Sequence, residues 1–332
     1  MGHSRFTTRA MRIKKVTKIA IIGAGHVGAV TAFALILKEL ADEIVLIDIN
    51  SRRSEGEAVD LTNAAMLNDQ PDVYTGTFED LRDASIVIIT AGHAPKLGET
   101  DQATLEANLK ILNNVAPKIG KLAPRSLLIV AGHPNEALTY AAAKLSGLPE
   151  HHVIGYGTSL ESTLFRCELA KHYSVDPRDV YASVVGQHGI AEMPLWSTIA
   201  IGKDYEDDEV FACFWKAKQA AFSAIDHKGH PSFTMAAGIV AIVEAILRDE
   251  NTLMTVAVPG HYLGVSDIAL SVPTRLSRAG AKQMPGCSDD WAEEDSLKSC
   301  AQDVKDQIEA MELPTMAVER PVEKVQASES NS

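Results

Sequence analysis

The sequence predicts an α/β fold in which a doubly wound parallel sheet is followed by a mixed α+β domain. Up to about residue 157, short apolar runs of strand length alternate with amphipathic segments of helix length. A glycine-rich turn follows the first of these runs. Beyond that point the regular alternation ends, which indicates a second unit with a different topology.

The segment 18–48 reads as strand, tight turn, helix and second strand within about 30 residues. Its apolar first run ends in GAGHVG, which has the G-x-G-x-x-G spacing. This spacing lets the backbone turn sharply, approach a pyrophosphate and pack a helix closely on a strand. The phosphates would lie at the helix N-terminus, where N–H groups and the helix dipole favour negative charge. The residues predicted to contact the dinucleotide here are Gly23, Gly25, His26, Val27 and Gly28.

An acidic residue, Asp48, ends the second strand about 20 residues beyond the last glycine. A carboxylate at this place can accept hydrogen bonds from the ribose hydroxyls of adenosine. The turn and the acid together predict a Rossmann-type domain that binds NAD. The acid disfavours NADP, although Arg52 and Arg53 just beyond leave that cofactor open. The alternative is a glycine turn that binds no nucleotide.

Predicted strands and helices continue to alternate through the first half. This alternation predicts a parallel sheet with helices on both faces and ligands at the carboxyl ends of its strands. A polar loop at 92–101, beginning with Gly92, follows one such strand end and is expected to form a mobile lid. Helices are predicted at 52–67, 105–119 and 135–145, and further strands at 85–92, 126–131 and 152–155.

The second half mixes helices and strands without a flexible linker. Helices are predicted at 158–173, 210–224, 233–248 and 292–311, and strands at 180–189, 194–203, 252–258 and 268–273. The predicted organisation is a basic N-terminal arm at 1–17, an NAD-binding domain at 18–157, a substrate domain at 158–312 and a disordered tail at 313–332.

The basic arm is expected to be exposed; its resemblance to a mitochondrial presequence is weak, because it is short and runs almost directly into the first strand. The net charge of −13 argues against a nucleic-acid partner. No apolar run is long enough to predict a membrane helix. Four scattered cysteines predict neither disulfides nor a metal site, and they favour a reducing, cytoplasmic location.

Several ordered motifs match one known family. Besides the glycine turn, they are GEAVDL, ITAG with GET, SGLP, GTSLESTLFR and GQHGIAEMPLWS. With these motifs the chain resembles the L-lactate/malate dehydrogenase family over about residues 18–312. The resemblance implies a homodimer or homotetramer, a small-molecule substrate, and hydride transfer between NAD and a 2-hydroxy or 2-oxo acid.

The resemblance also implies the catalytic residues. His188 matches the family's catalytic histidine, and histidine suits the task because its pKa near neutrality lets it give or take a proton. The family's aspartate that orients this histidine corresponds to Glu161, which keeps the charge and adds a methylene.

The substrate pocket departs from the family pattern at five positions. The arginine that binds the substrate carboxylate corresponds to Leu164, and the arginine that polarises the carbonyl corresponds to Asp101. The loop position that distinguishes lactate from malate enzymes is Pro95. A polar asparagine corresponds to His133, and a threonine or small residue corresponds to Pro231.

These changes remove two positive charges and add one negative charge, so the pocket should disfavour anions. The sequence therefore predicts an NAD-dependent oxidoreductase acting on a neutral or cationic carbonyl compound, alcohol or imine, and not on a 2-oxo acid. Two alternatives stay open at this point: an NAD-binding protein without redox turnover, and an isomerase that retains NAD.

Overall fold

The computed structural model describes residues 16–66, 71–94, 98–284 and 290–311. Most of the predicted basic arm, Pro95 and the predicted tail lie outside the described residues.

A six-stranded parallel sheet forms the first half, in the order β3-β2-β1-β4-β5-β6. This order is that of a doubly wound dinucleotide-binding domain, as the glycine turn predicts. The strands are β1 (Lys18–Ile22), β2 (Glu43–Ile47), β3 (Asp72–Thr75), β4 (Ile86–Ile89), β5 (Leu127–Val130) and β6 (Val153–Gly155).

Helices cover both faces of this sheet. In β1, Ala20 and Ile22 belong to one apolar cluster, whereas Ile19 and Ile21 belong to the other. Because successive side chains of a strand point to opposite faces, this division shows that both faces are buried. The helices of the first half are α1 (His26–Leu37), α2 (Ser51–Ala65), α3 (Asp101–Leu122) and α4 (Asn135–Ser146).

The second half continues the same sheet through antiparallel pairing. β6 pairs with β9, β9 with β10, and β10 with both β7 and β11, while β7 and β8 form a hairpin. The strands are β7 (Val184–Gln187), β8 (Ala191–Pro194), β9 (Thr252–Tyr262), β10 (Val265–Ser277) and β11 (Gly280–Gln283). The helices are α5 (Ser159–Tyr173), α6 (Asp207–Lys228), α7 (Ser232–Arg248) and α8 (Trp291–Glu309). This is the predicted mixed α+β unit.

The strand predicted at 194–203 is wrong. Apart from the end of β8, this stretch contains a short 3-10 turn at Trp196–Thr198 and one isolated bridge between Tyr181 and Ala200. Glu293 of α8 accepts hydrogen bonds from the backbone N and the hydroxyl of Ser197, at 2.9 and 2.6 Å. This tertiary contact holds the turn in a sequence whose apolar residues favour a strand.

Two further elements differ from the sequence-based expectation. β3 lies in a stretch expected to be polar loop, where the Tyr74 hydroxyl donates to Glu43 and receives a bond from Lys18 at 3.1 Å. The helix expected from residue 105 begins at Asp101, because the Thr100 hydroxyl caps it by accepting from the N–H of Ala103 at 3.2 Å. Among the described residues, no helix is both long and apolar enough to cross a membrane.

Candidate active site

At two glycines of the glycine turn, the backbone lies very close to the backbone of another residue. A Cβ on Gly28 would lie 1.9 Å from the carbonyl oxygen of Gly23. Gly23 itself has a φ of +107°, and a Cβ there would lie 2.3 Å from the backbone N of Ala91. Only glycine permits this crossing of α1 over β1 and the loop after β4. A Cβ on Gly25 would meet nothing within 4 Å, so this side of the turn is open.

The open side is the N-terminus of α1. No side chain caps this end, and the first intrahelical bond is from the N–H of Ala29 to the carbonyl of Gly25, at 2.9 Å. The N–H groups of His26, Val27 and Gly28 therefore precede the first helical bond and can bind phosphate oxygens.

Asp48 lies directly beside the turn. Its Oδ2 accepts from the N–H of Ala24 at 2.7 Å, and its Oδ1 accepts from the N–H of Asn50 at 2.8 Å. Each carboxylate oxygen keeps a further lone pair, so the group remains able to accept from ribose hydroxyls. Gly92 lies in the loop after β4, where a Cβ would be 3.2 Å from Asn108 Oδ1. The turn, the helix end and the acid together fit a dinucleotide.

His188 occupies the three-residue turn between β7 and β8. Its neighbour Gly189 has a φ of +75°, as such a turn requires, and Gly186 has a φ of +105° with a Cβ position 2.4 Å from the carbonyl of Ala191. The backbone N–H of His188 donates to Glu136 Oε1 at 3.1 Å. The hairpin and this bond thus fix the backbone from which the imidazole projects.

Glu161 faces His188 from the first turn of α5. Its Oε1 lies 3.3 Å from His188 Nδ1, an ion-pair distance, and its side chain is only 8% exposed. The sequence predicted this pair, and the structure brings the two residues together. Because Glu161 lies on the Nδ1 side of the ring, the other ring nitrogen of His188 could exchange a proton with a bound molecule.

Three carboxylates surround the imidazole. Burial by itself lowers the pKa of His188, but Glu161, Glu136 and Glu192 outweigh it and raise the pKa from 6.5 to about 9. His188 is accordingly protonated at neutral pH. Burial also raises the pKa of Glu136, whose Oε1 accepts from the Ser271 hydroxyl at 2.5 Å.

Sequence reasoning missed Glu136 and Glu192. Glu192 lies in the same hairpin as His188, where its Oε2 accepts from the N–H of Gly189 at 2.9 Å and its Oε1 pairs with Lys218 at 3.3 Å. Glu136 is the second residue of α4 and is fully buried. In the sequence, Glu192 is close to the histidine motif and Glu136 is close to the strand end at 130. Neither position shows that the glutamate is buried, because burial depends on the tertiary structure.

The donor atoms of Glu161, His188 and Glu192 lie within 4.8 Å of one another, which is a spacing that a metal ion could also use. The sequence predicted no metal site, and that expectation stays a prediction.

Asp101 and His133 lie in direct contact beside this centre. Asp101 Oδ1 is 2.9 Å from His133 Nε2, although the two residues are 32 positions apart in the chain. The ring of His133 meets that of His188 edge to face, with centroids 6.4 Å apart. Both are among the five positions that depart from the family pattern.

The other predicted pocket residues are placed as follows. Leu164 lies one turn after Glu161 on α5, half-buried against an apolar cluster that includes Phe165. Pro231 immediately precedes α7, next to His230, whose ring stacks on His26 of the glycine turn with centroids 4.1 Å apart. No described contact joins Pro231 to His188.

Arg166 lies on the same helix as Glu161, but its described hydrogen bond is not to a residue of this site. The guanidinium of Arg166 donates to the hydroxyl of Thr163 at 3.1 Å on its own helix. The described groups around the imidazole are therefore mostly acidic. They can hold and transfer a proton, and they offer no forked cation for a carboxylate.

Two family models match the chain. One is described as lactate/malate dehydrogenase, NAD binding domain, and matches residues 17–155; the other, its alpha/beta C-terminal domain, matches residues 158–313.

Similar proteins cover nearly the whole chain. A "Probable L-lactate dehydrogenase" of Schizosaccharomyces pombe is 37% identical over 93% of this chain and 97% of its own length. An "L-lactate dehydrogenase" of Clostridium perfringens is 38% identical over 90% of this chain and 99% of its own length. The crystal structure of the minor L-lactate dehydrogenase from Enterococcus mundtii superposes with a TM-score of 0.85 at 31% identity, over 90% of this chain and 100% of that one.

Proposed function

The chain belongs to the lactate/malate dehydrogenase family of NAD-dependent oxidoreductases, and from this premise we propose that its substrate is a neutral or cationic carbonyl compound, alcohol or imine, and not lactate or malate. The proposal rests on the identity of the side chains at positions 101, 133 and 164. They are an aspartate, a histidine bound to that aspartate, and a leucine packed on apolar residues.

The charge around the imidazole supports the proposal. A 2-oxo acid would bring its carboxylate next to Glu161, Glu192 and Asp101 without an arginine to pair with it. Burying an unpaired carboxylate costs several kcal/mol. The names of the relatives favour lactate instead, so lactate is the second candidate. The relative rates of reduction of pyruvate and of uncharged ketones distinguish the two.

Each residue of the centre has a proposed role in this chemistry. NAD, when bound, supplies the hydride acceptor or donor. The turn at 23–28 holds the diphosphate, and Asp48 accepts from the ribose. His188 gives its proton to the carbonyl oxygen during reduction and takes it back during oxidation. Glu161 orients the imidazole and stabilises its positive charge.

The raised pKa of His188 predicts opposite pH profiles for the two directions. Reduction requires the protonated ring, so its kcat/KM should be constant below about pH 8 and fall tenfold per pH unit above the pKa of about 9. Oxidation requires the neutral ring and should rise through the same range. Steady-state rates followed by nicotinamide absorbance measure both. Glu161→Gln should move the inflection to lower pH, and an unmoved inflection would contradict the assignment.

The proposed role of Asp48 predicts a loss of cofactor affinity. Asp48→Arg removes an acceptor for the ribose hydroxyls and the bonds to two backbone N–H groups, so NADH should bind about tenfold or more weakly. Titration of protein fluorescence with NADH and NADPH measures this. Asp60→Arg, on the exposed face of α2, is the matched control and should leave the affinity unchanged. Equal NADH affinity in both variants would contradict the role of Asp48.

We also propose a cytoplasmic homo-oligomer, a homodimer or homotetramer. Three apolar side chains support an oligomer, since Phe33 and Leu37 on α1 and Val59 on α2 are 42%, 54% and 63% exposed. The described cysteines, Cys167, Cys213 and Cys300, are free thiols, which fits a reducing compartment.

A further inference from the structure

Two of the positions that depart from the family pattern contact each other. Asp101 is the first residue of α3 and His133 follows β5, and their side chains meet at 2.9 Å. Where the family places an arginine and an asparagine, this chain therefore has one histidine–carboxylate pair. The pair lies at the carboxyl ends of the parallel strands, where doubly wound folds bind their ligands.

The backbone of His133 is fixed by a second set of contacts. The amide of Asn108, which is buried on α3, donates to the carbonyl of His133 at 2.8 Å. Its Oδ1 accepts from the N–H of His93 at 2.6 Å, and the ring of His93 lies 2.9 Å from Glu99. The loop after β4 and the loop after β5 are thus tied together, and His133 is held at its backbone carbonyl by Asn108 and at its ring by Asp101.

The carboxylate decides which ring nitrogen carries the hydrogen. Asp101 accepts, so Nε2 of His133 must donate, and in the neutral ring Nδ1 is then an acceptor. Cε1 of the ring lies 3.9 Å from the position of a Cβ on Gly189, in the turn that carries His188. The edge of His133 therefore faces the catalytic turn.

The pair reverses the hydrogen-bonding character of the pocket. An arginine offers only donors, which match the oxygen atoms of an anion or a carbonyl group, whereas the Asp101 carboxylate offers only acceptors, which match an ammonium group or a hydroxyl. The side chain of Asp101 is 51% exposed and can accept further bonds. Glu161 and Glu192 add negative charge near His188, and among the described residues the positive charges that contact these acids are those of His188 and of Lys218, which is paired with Glu192.

Resting on the proposed function, we infer that the Asp101–His133 pair selects a substrate with an ammonium group on the carbon next to the reacting carbon, that is, an amino alcohol or its amino ketone. The Asp101 carboxylate, held in place by His133, accepts from the ammonium, and Leu164 packs against the apolar remainder. Oxidation moves the hydride to NAD⁺ and the hydroxyl proton to neutral His188, which leaves the amino ketone.

Four alcohols of nearly equal size test the inference, because they differ only in the group beside the carbinol carbon. They are 1-amino-2-propanol, 1,2-propanediol, 2-butanol and lactate. Calorimetric titration of the enzyme saturated with NAD⁺ should show 1-amino-2-propanol binding about tenfold or more tightly than 2-butanol, and lactate binding most weakly.

Asp101→Asn keeps the shape and removes the charge, so it should abolish the preference for 1-amino-2-propanol over 2-butanol. Asp207→Asn, at the exposed first residue of α6, is the matched control and should retain the preference. Proton–nitrogen correlation spectra should show the Nε2–H form of His133 in the wild type, and loss of that form in His133→Asn assigns the signal.

Equal binding of all four alcohols, tighter binding of lactate, or a preference that survives Asp101→Asn would overturn the inference. The proposed function is tested separately, by measuring whether NADH is formed from NAD⁺ and each alcohol. If an uncharged alcohol is oxidised without any preference for the ammonium, the function stands and the inference fails. If the preference is present but none of the three non-acidic alcohols reduces NAD⁺, the inference stands and the proposed substrate range fails.

Discussion

Restoring the two arginines should give this enzyme pyruvate reductase activity. In Leu164→Arg with Asp101→Arg, one guanidinium returns one turn after Glu161 and the other returns at the start of α3. The pair between the arginine at 164 and the substrate carboxylate is worth about 2–5 kcal/mol when it is desolvated, and the arginine at 101 would polarise the carbonyl. The extra acids near His188 offset part of this gain. We expect kcat/KM for pyruvate to rise at least about 100-fold over the wild type, measured as NADH oxidation.

Adding His133→Asn to this double variant should increase the effect, because the asparagine supplies a polar contact and cannot carry a positive charge beside the new guanidinium at position 101. The matched control is Leu164→Gln with Asp101→Gln, which has similar volume without charge and should stay near the wild-type rate. If the control gains as much activity as the arginine variant, the loss of positive charge is not what excludes pyruvate.

His188→Ala should remove turnover while leaving cofactor binding intact. The imidazole is the proposed proton donor, and such groups contribute about 10²–10⁴-fold to rate. The Kd for NADH should change less than about twofold, because the proposed binding groups lie in the turn after β1. Rates are measured on the best substrate of the wild type, and the Kd by fluorescence titration.

His261→Ala is the control for this variant, since His261 is exposed on β9 and contacts only Ser266 among the described hydrogen bonds. It should behave as the wild type. A His188→Ala enzyme with undiminished turnover would place the proton transfer on another group.

The fold could be predicted because its strands carry a strong periodic signal. Buried parallel strands such as Ile86–Ile89 are continuous apolar runs, and the glycine turn marks where the first helix begins. The short strand Asp72–Thr75 has no such run. It depends on a network between Tyr74, Glu43 and Lys18, which join three neighbouring strands and cannot be read from local sequence.

The site could be predicted only in part, for a similar reason. The pairing of His188 with Glu161 follows from motifs of a known family. The contact between Asp101 and His133 depends on how the loops after β4 and β5 meet, and each residue alone is an ordinary polar loop residue. The electrostatic consequence of Glu136 and Glu192 required their burial to be known.

The replacement of the two family arginines by Asp101 and Leu164, and of the asparagine by His133, gives a single physical explanation for the pocket. The positions at which the family has donor groups hold an aspartate, a histidine and a leucine here, while His188, the proposed proton donor, and the dinucleotide turn retain the family pattern. The chemistry of hydride transfer is therefore expected to be preserved, with a change in the charge of the substrate.

The central claim is tested most directly by the rates at which the wild-type enzyme reduces pyruvate, butanone, hydroxyacetone and aminoacetone with NADH, followed at the nicotinamide absorbance. We expect aminoacetone to be reduced fastest, the two uncharged ketones more slowly, and pyruvate slowest by at least about tenfold. Rapid reduction of pyruvate, at a kcat/KM above that of the other three, would contradict the account and identify the chain as an ordinary lactate dehydrogenase.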